Sequence, residues 1–209
     1  MRTAFVTLIL AAGLAGGAVA QTADVAAQPA PAASVPVTPA PAAEPPPALP
    51  TSGDGAEVLA ALDQVCLPAV RGGNLEDLAK ANGYKLNRRE QTWGKPLGGQ
   101  KNYSIVLFPQ GSNKDVCFAE LRYAMGKDEE IAKALNVWAF TRQPPLDPTA
   151  NYTQPVDPDG LKRVRRSWEY LSASQSIGLN FSTVRKPDDT QVAKNYDQGT
   201  LQYQERKLP

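Results

Sequence analysis

Between Gln21 and Pro50 the chain carries ten alanines and nine prolines in thirty residues, which confines any folded core to the residues beyond Pro50. Proline fixes φ and lacks a backbone N–H, and alanine brings little surface to bury, so this stretch has no face to pack. It is expected to be an extended spacer of polyproline II character, at most ~90 Å long at ~3.1 Å per residue. Ahead of it, Met1–Ala20 has the form of a cleavable secretory signal: Arg2, the apolar run Phe5–Leu14, and the small-residue ending Ala18-Val19-Ala20. The chain thus divides into a signal over 1–20, a Pro/Ala-rich linker over 21–53, and one globular domain over 54–209. The expected location is periplasmic or secreted, in a bacterial envelope.

Export bears on the two cysteines, Cys66 and Cys117. In an oxidising compartment they are expected to form one disulfide. Their wide separation suits a structural staple better than a redox pair, which needs neighbouring thiols with a lowered pKa. Closing a loop of this size stabilises a fold by ~4 kcal/mol on the chain-entropy estimate.

Several chemistries are disfavoured. The chain has no histidine, which removes Ser-His-Asp and Cys-His catalysis and imidazole metal ligation. No Ser-x-x-Lys, Gly-x-Ser-x-Gly or phosphate-binding glycine motif occurs, and Gly72-Gly73 reads as a turn. No catalytic residue, metal ligand or cofactor site is assigned, and no cofactor is expected. Losing Arg2 with the signal takes 22 basic residues to 21, against 21 acidic, so no long-range field draws the protein to nucleic acid. Nothing after the signal approaches the ~20 consecutive apolar residues of a membrane span.

Within the globular part, Val58, Leu59, Leu62, Val65, Cys66 and Ala69 recur at helical spacing, with Asp54 and Glu57 imitating a capping box. A second helix starts at Asn74, turns Leu75, Leu78 and Ala79 inward, and stops at Gly83. Glu90–Trp93 is a weak strand candidate, and Gly94–Gly99 reads as a break. Tyr103–Phe108 and Asp115–Arg122 form a hairpin around Gly111 and Asn113. Asp128 is the expected cap of a third helix, with Glu129 and Glu130 as solvated first-turn charges and Pro144-Pro145 as its stop. Gln143–Gly160 reads as a long loop. After it Val164, Trp168 and Tyr170 alternate on one strand, and Ile177, Leu179 and Phe181 on the next. Thr200–Arg206 is expected at a sheet edge. The sum is an α+β fold: two N-terminal helices and one later helix on an antiparallel sheet of about five or six strands, with one disulfide.

Two features are candidates for function. Lys162, Arg163, Arg165 and Arg166 are the only concentrated charge, suited to an anionic partner, with Arg163 and Arg165 sharing a strand face. Trp93, Tyr103 and Tyr152 would line a groove if exposed, whereas Trp138 and Trp168 belong in the core. The reading favoured is a non-enzymatic envelope module that binds an envelope protein or acidic polymer through the sheet face or the 143–160 loop. The alternatives are a histidine-free hydrolase, which needs two carboxylates ~5–9.5 Å apart in one cleft, and an inhibitor of a secreted enzyme.

Overall fold

The computed structural model describes residues 47–208. The signal expected over 1–20 and most of the linker expected over 21–53 lie outside them. The first helical stripe is buried as expected: Val58, Leu62 and Val65 have no exposure, and Leu59, Cys66 and Ala69 have almost none. Helix α1 (Gly53–Ala61) runs through a π-helical turn (Leu62–Cys66) into α2 (Leu67–Val70), forming one rod. Pro68 offers no N–H to the carbonyl four residues back, Gln64, which accepts instead from Asn82 Nδ2 at 3.4 Å. The expected capping box does not form. Ser52 is the N-cap, and Glu57 reaches away to accept from the amide of Gly98 at 3.2 Å.

Helix α3 (Leu75–Ala81) begins as expected, with Asn74 accepting from the amides of Glu76 and Asp77. Helix α4 (Asp128–Thr141) starts one residue early, because Lys127 is its cap. Its three first-turn acids are not simply solvated, as the sequence suggests. Each has a cationic partner: Asp128 with Arg185, Glu129 with Arg166, and Glu130 with Lys127.

The sheet has eight strands rather than five or six, all antiparallel: β1 (Lys85–Asn87), β2 (Thr92–Leu97), β3 (Gln100–Leu107), β4 (Val116–Tyr123), β5 (Asp147–Thr153), β6 (Lys162–Leu171), β7 (Gln175–Arg185) and β8 (Asp197–Lys207). Their order is β1-β2-β3-β4-β8-β7-β6-β5. Each half is a four-strand meander preceded by a helix, and β4 and β8 join the halves. The helices echo one another, Glu57-Val-Leu-Ala-Ala-Leu-Asp63 against Glu130-Ile-Ala-Lys-Ala-Leu-Asn136. They pack so closely that a Cβ on Gly55 would sit 2.8 Å from that of Ala134.

Three sequence expectations are corrected by this topology. β2 runs through Gly94 and Pro96, where the sequence suggests a break. Pairing of β1 with β2 ends at Lys85↔Gly94, so the missing N–H of Pro96 falls where β2 is already an edge. β5 lies inside the segment expected to be a loop. β8 is central rather than peripheral, flanked by β4 and β7.

All the helices cover one sheet face. The Cys66–Cys117 disulfide pins the first rod to β4, with Cα atoms 5.2 Å apart, and Trp138 of α4 packs edge-on against Tyr203 of β8 at 6.0 Å. Cys117, Ala119, Leu121, Tyr203, Leu201, Leu179, Phe181 and Trp168 complete this buried layer. No helix is long and apolar enough to cross a membrane among the described residues.

Candidate functional site: the uncovered sheet face

Residues directly opposite across antiparallel strands share a face, so the register assigns the second face unambiguously. One row crosses all eight strands: Lys85, Gly94, Val106, Glu120, Thr200, Ser182, Arg165 and Tyr152. The row beside it carries Phe118, Gln202, Asn180 and Ser167. No described helix covers these side chains. Phe108 and Phe118 stack edge to face at 5.3 Å on one flank, and the centre is short, neutral and polar.

The basic run is divided by the pleat. Lys162 is tied to Asp189 at 2.6 Å. Arg163 lies between Asp157 and Asp159, whose carboxylates push its guanidinium above the ordinary arginine range, while Arg163 in turn holds Asp159 below the usual carboxylate range. Arg166 points to the helix side, where Glu129 meets it. Arg165 is exposed and has no ion pair or side-chain hydrogen bond among the described residues. Four clustered cations in the sequence thus become one unpartnered guanidinium, with Arg163 beside it on the same face already neutralised.

That guanidinium lines a recess of about 340 Å3 together with Tyr152, Ser167, Asn180, Ser182, Thr200 and Gln202, the acid-paired Arg163 and Arg166, and the buried Phe181. The size falls within the range usual for small-ligand sites, roughly 300–1,000 Å3. Ser167 Oγ and Asn180 Oδ1 are 2.6 Å apart, so the hydroxyl donates to the amide oxygen, and the amide NH2 has no hydrogen-bond partner among the described residues. The side chains of Ser182, Thr200 and Gln202 make no hydrogen bond among the described residues. Among the described residues the recess therefore presents one unpaired cation, one phenol and a field of groups able to donate and accept. Tyr152 is 49% exposed. Of the other aromatics considered from sequence, Trp93 is buried and Tyr103 is packed against the core.

Three other recesses are larger: one of about 400 Å3 lies along α4 beside Glu129, Lys133 and Asn136, and two are larger still. One of about 570 Å3 lies between the Gly72-Gly73 turn and the Gly111 turn, with Glu76 and Lys114 as its charged groups. The other, about 520 Å3, holds two carboxylates, Asp115 and Glu205. Glu205 accepts from Arg71 at 2.8 Å, Tyr203 at 2.9 Å and Gln175 at 2.9 Å. Asp115 lies 3.4 Å from Arg206. Both carboxylates are thus engaged within the fold, Glu205 by three donors and Asp115 by one cation.

Among the described residues no group of three or more acidic or cysteine side chains is placed to hold a metal ion. The recess is legible in the sequence only in part. Tyr152 and the basic run around Arg165 stand out there, but Asn180, Thr200 and Gln202 carry no motif and become neighbours only through the β6-β7-β8 pairing. No protein-family model matches this chain, and no curated protein or solved structure matches it significantly. The fold and site therefore define a class by geometry: an α+β domain whose helices cover one face of an eight-stranded antiparallel sheet and leave a polar face open.

Proposed function

We propose that the chain is an exported, non-enzymatic module of the cell envelope that binds its partner on the uncovered face of the sheet. The observation carrying this reading is Arg165. Its three basic neighbours are matched by acids, and among the described residues it is the one of the four left unpartnered, on the wall of a polar recess. An unpaired guanidinium there gains no ion pair within the described fold, whereas it is positioned to meet an anionic group from outside. The sheet face and the 143–160 segment, separate candidates in the sequence, meet at this point because β5 brings Tyr152 beside Arg165. The Met1–Ala20 pattern supports export, and the Pro/Ala-rich stretch supports a domain held at a distance.

The two-carboxylate hydrolase has one observation in its favour, the shared recess of Asp115 and Glu205, and it weighs less because Glu205 is held by three donors from within the fold. Retention of envelope components on the immobilised protein tests the binding reading. Thr200→Trp and Ser182→Trp each fill the recess and are expected to abolish retention. Lys133→Trp, on the exposed side of α4, is expected to leave it intact. Equal retention by all three variants would count against the reading.

A further inference from the structure

The charge and hydrogen-bonding pattern of the open face also selects a ligand class, on the premise that this face is the binding surface. We infer that the recess binds an acidic sugar, with its carboxylate on Arg165 and its hydroxyls on the neutral groups of two adjacent rows, Ser182 with Thr200 and Asn180 with Gln202.

Three features of the recess converge on this ligand. The first is charge density. A ligand with a phosphate or sulfate on every unit is matched by several cations, yet Lys162, Arg163 and Arg166 are already matched by Asp189, by Asp157 with Asp159, and by Glu129. On the far side of the row Glu120 is likewise occupied, 2.9 Å from Arg122. One planar guanidinium is left, and its fork fits one carboxylate through two parallel N–H···O bonds.

The second is the lining. An acidic peptide would be anchored by an apolar or aromatic side chain in a dry pocket, whereas here Phe181 is fully buried and the one exposed aromatic lining the recess, Tyr152, stands half exposed at its end. Hydroxyls and primary amides that both donate and accept match a ligand that does the same at each ring carbon. Adjacent strands lie ~4.8 Å apart, so Arg165, Ser182 and Thr200 on β6, β7 and β8 place polar groups at steps comparable to a pyranose ring.

The third is Tyr152. Half exposed, directly opposite Arg165 on β5, it offers a flat apolar wall with a polar tip at the end of the row. A sugar ring, apolar on one face and polar at its edge, suits that combination.

The test is a titration of the full mature chain, followed by side-chain amide NMR and calorimetry. Four probes are used: a short oligomer of galacturonic acid, its methyl ester, the neutral galactose oligomer, and a polyglutamate peptide. The acid is expected to bind at least tenfold more tightly than its ester and to shift the NH2 resonances of Asn180 and Gln202. Arg165→Gln is expected to bring the acid down to the level of the ester, with Arg165→Lys between them. Arg165 is exposed, so both variants should melt like the parent protein. Acid and ester binding equally on this face, blocked by Thr200→Trp, would overturn the acidic-sugar assignment and leave the binding face standing. Polyglutamate binding as tightly as the acid would overturn it in favour of a peptide. If none of the probes binds while the face still retains an envelope component, the assignment falls and the binding face again survives.

Discussion

Trp138 on α4 donates its indole N–H to Asp63 in the π-helical turn at 2.9 Å, fastening the two helical layers at their crossing. The arrangement recurs one repeat later, where Trp168 donates to Asn136 at 2.8 Å. Asp63 and Asn136 occupy matching places in the two helix sequences, and each accepts from a buried indole.

The bond predicts a graded response. Asp63→Ala leaves the Trp138 N–H unpaired and should cost about 1–3 kcal/mol. Asp63→Asn keeps an acceptor, as Asn136 does, and should cost clearly less. Chemical denaturation of both variants measures the difference.

Reduction of Cys66–Cys117 releases the tie between the first rod and β4. The two cysteines are 51 residues apart in sequence, so reduction should lower stability by about 4 kcal/mol on the chain-entropy estimate. The denaturant midpoint with and without reductant reports this, and Cys66→Ala/Cys117→Ala should behave like the reduced protein.

Asp54 supplies a pH prediction. Burial, followed by the nearby Glu130 and Glu57, raises its pKa. The folded state therefore holds this proton more tightly than the unfolded chain, and stability falls as pH rises from the unfolded carboxylate value of ~3.9 through the raised folded value. Asp54→Asn should raise Tm at neutral pH. The gain should shrink on acidification and vanish below the unfolded value, a trend that melts recorded between acidic and neutral pH would reveal.

Arg166 and Arg165 are neighbours in sequence and opposite in role. Arg166 is 12% exposed beneath α4, with Glu129 as its only partner among the described residues and Nη1 unpaired. Replacing a buried ion with an apolar chain of similar length is often neutral or stabilising, so Arg166→Met should fold at least as well as the parent. Glu129→Ala should destabilise, because it strands the guanidinium. Glu129→Ala should leave binding on the open face unaltered, whereas Arg165→Gln should reduce binding without changing Tm.

How far this architecture is legible in the sequence depends on where the signals lie. Helical stripes such as Val58–Ala69 and alternation such as Ile177, Leu179, Phe181 survive into the structure, because one face of each element is buried against a continuous core. The strand count falls short at two places. β2 carries Gly94 and Pro96, which signal a break wherever a strand is paired on both sides, and β5 is preceded by prolines and has almost no buried residue to announce it. The central position of β8 is hidden because its alternation of Leu201 and Tyr203 with Thr200, Gln202 and Gln204 resembles an edge. In fact half of it faces the core and half faces the uncovered surface.

The four basic residues are inseparable in the sequence for a related reason. Asp157 and Asp159 are close in sequence to Arg163, but Asp189 and Glu129 reach Lys162 and Arg166 only through the hairpin and the α4 crossover. Nothing local distinguishes Arg165 from its neighbours. Its isolation is a product of topology.

The most direct test of the open face as the binding surface uses the side-chain amides as reporters. Asn180 and Gln202 lie on the uncovered face, whereas Asn82 and Asn136 lie on the helix side. Addition of the envelope fraction retained by the protein should shift the NH2 resonances of Asn180 and Gln202 and leave those of Asn82 and Asn136 in place. Shifts confined to Asn82 and Asn136 would contradict the account and place the binding surface among the helices.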